Sequence, residues 1–122
     1  MEVVWTFPNA PTSLYEGPFL KNEGGREFSL TFSFENEKGE IDEKAFRFQN
    51  VWAYKCNFLY ALDRDLMKLS YGKLVLLDKA GWLAEIGYQE GQFGSSSAKL
   101  KAFAVTFDDG PTYQFLCEEV IL

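Results

Sequence analysis

The stretch REFSLTFSFEN, residues 26–36, alternates apolar and polar side chains at every second position. The apolar positions are Phe28, Leu30, Phe32 and Phe34, and the polar ones are Glu27, Ser29, Thr31 and Ser33. Because successive side chains of a strand point to opposite faces, this alternation predicts a strand with one face buried and one face polar. A chain organised around such a strand needs a second layer to cover the apolar face.

Similar strand patterns flank this stretch. After the charged turn EKGEID, the alternation resumes at Phe46 and Phe48 and changes phase near Gln49 and Asn50, where a bulge or short turn would redirect the chain. Beyond that point Trp52, Tyr54, Cys56 and Phe58 share one side. Residues 3–7 are also predicted to be a strand, and for residues 73–78 a strand is favoured over a helix. The rest of the first 25 residues, which contain Pro8, Pro11 and Pro18, is predicted to be a loop.

The C-terminal segment predicts a β-hairpin. Phe103, Val105 and Phe107 alternate with Ala102, Ala104 and Thr106 before the turn, and Tyr113, Phe115 and Cys117 alternate with Thr112, Gln114 and Leu116 after it. Asp108 to Pro111 form a short polar connection that we expect to lie in solvent.

Two segments show helical spacing. Leu59, Leu62, Leu66 and Leu69 step by three, four and three positions, which predicts a helix over about 59–71. Trp82 and Ile86 are four apart, so GWLAEIGYQ is open to one turn of helix or a short strand, with helix favoured. The glycines and serines of residues 89–98 predict a mobile loop.

These patterns predict a single α+β domain over residues 1–122 that is mainly antiparallel β. Its sheet is expected to be curved and sandwich- or barrel-like. The helix at about 59–71 covers one side, and a C-terminal β-hairpin closes the chain. The 17% aromatic content supports a large packed core.

The charge balance limits the classes of partner. With 12 Lys and Arg against 18 Asp and Glu, the chain carries −6, so a nucleic-acid partner is not expected, whereas a basic protein partner suits the charge. No apolar stretch approaches the roughly 20 residues that span a bilayer, so no membrane association is expected. The N-terminus has no signal-peptide pattern, and we expect a cytoplasmic protein.

The cysteine and histidine counts limit the chemistry. Cys56 and Cys117 both lie in strand-like runs and are expected to be buried and reduced, although a disulfide between neighbouring strands stays open. The chain has no histidine, which removes Ser-His-Asp and Cys-His catalysis and histidine zinc sites. No catalytic residue, metal site or cofactor is therefore predicted.

The string TFDDGP, residues 106–111, resembles the motif of polysaccharide deacetylases. In that family the first Asp is the general base and the second binds a metal together with two histidines, which would assign Asp108 and Asp109 these roles. Because the two histidines are absent from the chain, we interpret the match as turn chemistry and not as an active site.

Four aromatic residues are the candidate ligand or partner contacts. Trp52 and Trp82 are two of the three tryptophans; Tyr88 precedes the glycine- and serine-rich loop and Phe93 lies within it, where the two would be contacts if the loop acts as a lid. Core packing is the competing interpretation for at least two of the three tryptophans.

The C-terminal half resembles a family of small uncharacterised bacterial proteins. The matching segments are YGKLVLLDKAGWLAEI, residues 71–86, and LKAFAVTFDDGPTYQFLCEEV, residues 100–120. The resemblance implies no activity; small acidic bacterial domains include immunity and inhibitor proteins.

The function expected from the sequence is that of a non-enzymatic protein-interaction or immunity/inhibitor-type domain with a basic protein partner. A small-ligand-binding β-domain is the alternative, motivated by the aromatic content. An enzyme that uses carboxylates alone is a third hypothesis. Self-association as a homodimer through an exposed edge strand is also expected.

Overall fold

The computed structural model describes residues 1–8, 14–58, 64–94, 96–108 and 110–122, and of residue 93 it describes the backbone alone. Within these ranges the chain forms strands, two short helices and one 3-10 turn at Gln92–Gly94. The strands are β1 Glu2–Thr6, β2 Leu14–Gly24, β3 Glu27–Glu35, β4 Ile41–Gln49, β5 Ala53–Asn57, β6 Lys73–Leu77, β7 Lys101–Thr106, β8 Thr112–Cys117 and β9 Glu119–Ile121. The helices are α1 Arg64–Ser70 and α2 Ala80–Glu85.

The strands form two antiparallel sheets that are not closed into a barrel. Sheet A has the order β1-β6-β7-β8-β5, and sheet B has the order β2-β3-β4-β9. One hydrophobic cluster joins the facing sides of the two sheets. The predicted mainly antiparallel α+β fold is therefore confirmed, and of the two predicted architectures the sandwich is the one observed.

Aromatic side chains fill the space between the sheets. Phe48 of sheet B stacks on Phe115 of sheet A, with ring centroids 3.8 Å apart and planes inclined by 11°. Phe32 of sheet B meets Phe107 of sheet A edge to face at 5.1 Å. The alternation in residues 26–36 correctly predicted the buried face, since Leu30, Phe32 and Phe34 are all buried.

The change of phase near Asn50 marks the passage from sheet B to sheet A. Asn50 has a φ of 52°, a left-handed conformation that asparagine tolerates better than most residues. The two residues after Asn50 are tied to the two layers, the first to the turn between β2 and β3 and the second to β8. Val51 N donates to Arg26 O at 2.8 Å, and Trp52 N donates to Leu116 O at 2.8 Å. The predicted redirection of the chain is confirmed.

Strand β2 contradicts the loop predicted for the first 25 residues beyond β1. Residues 14–24 pair with β3 as an edge strand whose register shifts at three places. Pro18 is tolerated there because an edge strand needs hydrogen bonds on one side only. At the same bulge, a Cβ atom on Gly17 would lie 2.8 Å from the carbonyl oxygen of Thr31. Pro11 lies outside the described residues.

Both helices lie on the face of sheet A that points away from sheet B. Helix α1 falls within the predicted range 59–71, and residues 59–63, with Leu59 and Leu62, lie outside the described part. The predicted leucine stripe is wrong at Leu69, which is 39% exposed. Ser70 is the buried residue of α1, because its hydroxyl contacts Thr106 Oγ1 at 2.7 Å. Helix α2 confirms the favoured interpretation of GWLAEI.

The predicted C-terminal hairpin is confirmed as β7 and β8, with Thr106 opposite Thr112. The expectation that the whole turn lies in solvent is wrong at Pro111, which is buried because its carbonyl folds back to accept the Phe107 amide at 3.3 Å. Asp109 lies outside the described residues. The short strand β9, which follows β8 and joins sheet B, has no counterpart in the sequence prediction.

The two cysteines are not joined. Cys117 is buried as predicted, whereas Cys56 is exposed, which corrects the prediction that both are buried. The difference follows from position, because β8 is flanked on both sides and β5 forms the end of sheet A.

Candidate functional site

Three of the four predicted aromatic contacts lie on the helix-covered side of sheet A. Trp82 of α2 packs on Ala102 and Leu116 in a small hydrophobic cluster, and Trp52 packs against the same cluster. The Tyr88 ring lies 5.5 Å from the Trp52 ring. The side chain of Phe93 lies outside the described part of the structure. Trp82 is buried, so its visible role is to hold α2 on the sheet.

Polar groups around this aromatic cluster are held in place. Lys55 Nζ lies 4.6 Å from the Trp82 ring centroid and 2.9 Å from Glu85 Oε2, so the ammonium group is engaged by a ring and by a carboxylate. Trp52 Nε1 is different: it is buried and has no hydrogen-bond partner among the residues that the structure describes. An unsatisfied buried donor is costly, which makes Trp52 the unusual residue of the cluster.

Ser97 anchors the described part of the loop 89–98. Ser97 donates from its hydroxyl to Glu90 Oε2 at 2.6 Å, and its carbonyl accepts from Lys79 Nζ at 2.5 Å. Hydrogen bonds from Ser97 and Ser96 lower the pKa of the Glu90 carboxyl. Ser95 lies outside the described residues.

Among the described residues, the side chains that could support chemistry either lie apart from one another or are engaged in hydrogen bonds that hold the fold together. The hydroxyls of Ser70, Thr106 and Thr112 form a buried chain with oxygen separations of 2.7 and 2.6 Å. The hydroxyl of Tyr71 donates to Asp108 Oδ1 beside this chain. Within the described ranges, no three acidic or thiol side chains lie close enough together to hold a metal ion. The same ranges contain no helix with the length and apolarity to cross a bilayer.

The side of sheet B that points away from sheet A is covered by neither α1 nor α2. We call it the acidic face, and it consists of the outward side chains of β2, β3, β4 and β9. Its acidic members are Glu16, Glu23, Glu27, Glu35, Glu43 and Glu119, and all six are exposed. The basic residues on the same side are Lys21 and Arg47.

The surface of the acidic face is shaped by a row of small residues along its centre. Ser29, Thr31 and Ser33 of β3 and Ala45 of β4 lie between the longer side chains of the neighbouring strands. Exposed apolar side chains lie among the charged ones at the two edges of the face. Phe19 is 58% exposed opposite Thr31, and Ile121 is 44% exposed opposite Arg47. The face therefore combines a central row of small residues, of which Ser29 and Ser33 are buried, with exposed glutamates and isolated apolar side chains.

The negative charge of the protein is divided unevenly between its two sides. Residues 50–117, which build most of sheet A and both helices, balance seven acidic against seven basic residues. Residues 14–49 and 118–122, which build sheet B and its turns, contain ten acidic against five basic residues. Five of the six net negative charges therefore belong to the sheet-B side.

Two polar clefts lie at the end of sheet B where β9 joins it. A cleft of about 150 Å³ is lined by Glu23, Glu27, Arg47 and Ile121, among others. A more open one of about 430 Å³ is lined by Gln49, Lys99, Lys101, Glu118 and Glu119. Both clefts carry charged groups of opposite sign, and the smaller one also reaches Phe28 and Phe48 at the end of the aromatic core.

Sequence reasoning did not identify the acidic face. The sequence does contain ten acidic against five basic residues in the segments 14–49 and 118–122. This imbalance was not interpretable without knowing that β9 returns to the sheet built by β2, β3 and β4.

The chain matches no protein-family model, and no curated protein and no solved structure shows significant similarity to it.

Proposed function

We propose that the protein is a non-enzymatic interaction domain of the immunity or inhibitor type, which binds a basic protein partner through the acidic face. The segregation of charge onto the uncovered face of sheet B carries the proposal. Complementary charge steers association and orients the partner. Charge that served only to keep the protein soluble would be spread over the whole surface, and residues 50–117 would not need to be neutral.

The composition of the acidic face supports a protein partner in particular. Phe19 and Ile121 are exposed large apolar side chains on a sheet that is otherwise polar. Interfaces typically combine a few such anchors with a polar rim. Neighbouring side chains cover the small residues along β3, since Ser29 and Ser33 are buried and Ser29 donates to Glu23, so arginine or lysine side chains of a partner would meet the exposed glutamates beside this row.

The expected setting is the cytoplasm of a bacterium. The resemblance of residues 71–86 and 100–120 to small bacterial proteins supports the source, and two unpaired thiols support a reducing compartment. A second copy of the chain is the other partner that we propose, at a sheet edge outside the acidic face.

A matched pair of charge variants tests the basic partner. In the first, Glu16→Gln, Glu43→Gln and Glu119→Gln remove three charges from the acidic face. In the control, Glu2→Gln, Asp65→Asn and Glu85→Gln remove three charges elsewhere. A photo-crosslinker in place of Thr31 captures partners from a lysate of the source organism. The captured protein is then identified, purified and titrated against all three forms.

The proposal expects a captured protein of basic isoelectric point whose affinity falls steeply as salt is raised. Its affinity should fall at least about tenfold for the acidic-face variant, corresponding to about 1.4 kcal/mol, and little for the control. An acidic partner, or equal losses in the two variants, would reject the acidic face as the binding surface.

The small-ligand alternative has one observation in its favour, the buried Trp52 Nε1 without a partner in the described structure. Tyr88 packs beside it, so a neutral sugar hydroxyl would reach this donor after the Tyr88 ring moves aside. Titration with a panel of mono- and disaccharides, followed by tryptophan fluorescence, should show saturation in the wild type and none in Trp52→Phe. Identical flat titrations would remove this candidate.

A further inference from the structure

The four sheet edges of the sandwich differ in how well they are protected. An edge strand exposes unpaired backbone groups to other strands, and proteins limit this with bulges, prolines, charges or short length. Three of the four edges have such features. The register of β1 shifts between Val3 and Trp5, β2 has three shifts and a proline, and β9 is only three residues long.

Strand β5 is the edge without these features. Its five residues pair with β8 in an unbroken register, and they include neither proline nor an acidic residue. Its one charged residue, Lys55, is directed onto Trp82 and Glu85 and therefore does not act as a free repelling charge at the edge.

Exposed apolar side chains continue along one side of β5. Tyr54 is 47% exposed although it contacts Phe28 and Phe115, and Phe58 just beyond the strand is 66% exposed. Cys56 lies between them and is exposed as well. A row of this kind, at an edge that pairs with no further strand among the described residues, fits an added β-strand better than it fits a small molecule.

The sequence of β5 is complementary to itself. When two copies pair antiparallel with Cys56 on the two-fold axis, Tyr54 lies opposite Phe58 of the second copy, and Lys55 lies opposite Asn57 of the second copy. The register thus joins aromatic to aromatic and opposes no like charges. The neutral balance of residues 50–117 also lets two copies approach on this side, whereas two acidic faces would repel each other.

We propose that the protein forms a two-fold dimer by antiparallel pairing of two β5 strands centred on Cys56, which joins two copies of sheet A into one continuous sheet. The acidic faces then stay free on both copies. The interface is independent of the basic partner, so either proposal can fail without the other.

Light scattering coupled to size exclusion tests the dimer. The wild type should elute at twice its 14.0 kDa mass and dissociate on dilution. Oxidation by added diamide should give a disulfide-linked dimer, since directly opposed Cα atoms in antiparallel strands are close enough for a disulfide. In this step two Cys56 thiols form one S–S bond and pass two electrons and two protons to diamide.

Three variants distinguish pairing at β5 from association through another edge of the sandwich. Cys56→Ser should keep the non-covalent dimer and lose the linked species. Cys56→Asp opposes two carboxylates on the axis and should weaken the dimer at least about tenfold. Ile121→Asp at the β9 edge is the control and should leave the dimer intact. Circular dichroism confirms that each variant is folded.

A wild type that stays monomeric throughout the dilution series would overturn the proposal. So would a dimer that survives Cys56→Asp, because another edge would then form the contact. A dimer that diamide does not link would show that Cys56 is not on the axis.

Discussion

At the scale of single residues, Asn50 determines where the chain leaves one sheet for the other. Its φ of 52° lies in the left-handed region, and the backbone amides that follow it are bonded to the turn between β2 and β3 and to β8. The phase change in the sequence located this crossing correctly. It did not say that the crossing leads into a different sheet, because the partners of Val51 and Trp52 come from distant segments.

Replacing Asn50 by valine should therefore destabilise the protein. A β-branched residue at this φ costs about 1–2 kcal/mol, whereas Asn50→Gly avoids the clash between Cβ and the backbone. Urea unfolding of the three proteins measures the difference. Equal midpoints for valine and glycine would contradict the role of the backbone angle.

Two buried acids make the stability sensitive to alkaline pH. Burial raises the pKa of Cys117 from 9.0 to about 12. Burial, together with the nearby Cys56, raises the pKa of Tyr113 from 10.0 to about 12. Both groups keep their protons in the folded state at a pH where the unfolded chain has lost them. Their contribution is therefore complete below about pH 9 and is lost as the pH rises through about 12.

The Cys117→Ala variant removes one of these two titrating groups. Its free energy of unfolding should fall less steeply with pH than that of the wild type above pH 9, by up to about 1.4 kcal/mol per pH unit. Denaturant titrations at a series of pH values compare the two slopes. Parallel curves would show that the Cys117 thiol titrates normally.

At the scale of elements, the strands that bury one face were predictable and the atypical ones were not. The Phe-rich alternation identified β3 and β4, and the hairpin β7–β8 followed from its turn. Strand β2 was missed because Gly17 and Pro18 are typical of loops, although here they occupy a bulge of an edge strand. The exposure of Leu69 was missed because spacing alone does not show which side of a seven-residue helix meets the sheet.

The stack of Phe48 on Phe115 is one of the contacts that link the two layers. Both rings are fully buried, so Phe115→Ala should cost about 3–5 kcal/mol through lost burial and the cavity left behind. Phe19→Ala, on the exposed face of β2, should change stability by less than about 0.5 kcal/mol. Thermal or denaturant unfolding gives both values. A small effect of Phe115→Ala would mean that the layers are not held together at this point.

At the scale of the whole molecule, the sequence predicted an acidic protein and, from its charge, a basic partner. It did not predict that the negative charge is concentrated on one side of the molecule. Trp52, Trp82 and Tyr88 were chosen because aromatic residues stand out in a linear sequence, and they lie on the neutral side of the molecule. The glutamates of the acidic face are spread over more than a hundred positions; pairing of β2, β3 and β4 brings five of them together, and pairing of β4 with β9 adds Glu119.

The concentration of charge on sheet B should make stability depend on salt. The exposed glutamates repel one another at low ionic strength, and added salt screens the repulsion over about 10 Å at 0.1 M. Melting temperatures should therefore rise with sodium chloride in the wild type. They should rise less in the Glu16→Gln, Glu43→Gln, Glu119→Gln protein than in the Glu2→Gln, Asp65→Asn, Glu85→Gln control. The same salt response in both would argue that the charges do not act as a group.

The two sheets are interlaced along the chain: β1 belongs to sheet A although the next three strands build sheet B, and β9 returns to sheet B after β5 to β8 have built sheet A. Neither sheet corresponds to one continuous stretch of sequence. A cut anywhere between β4 and β5 would leave both halves with incomplete sheets and exposed aromatic surface. The domain should therefore melt in one cooperative transition, and it offers no internal boundary at which evolution or an experimenter could exchange one layer for another.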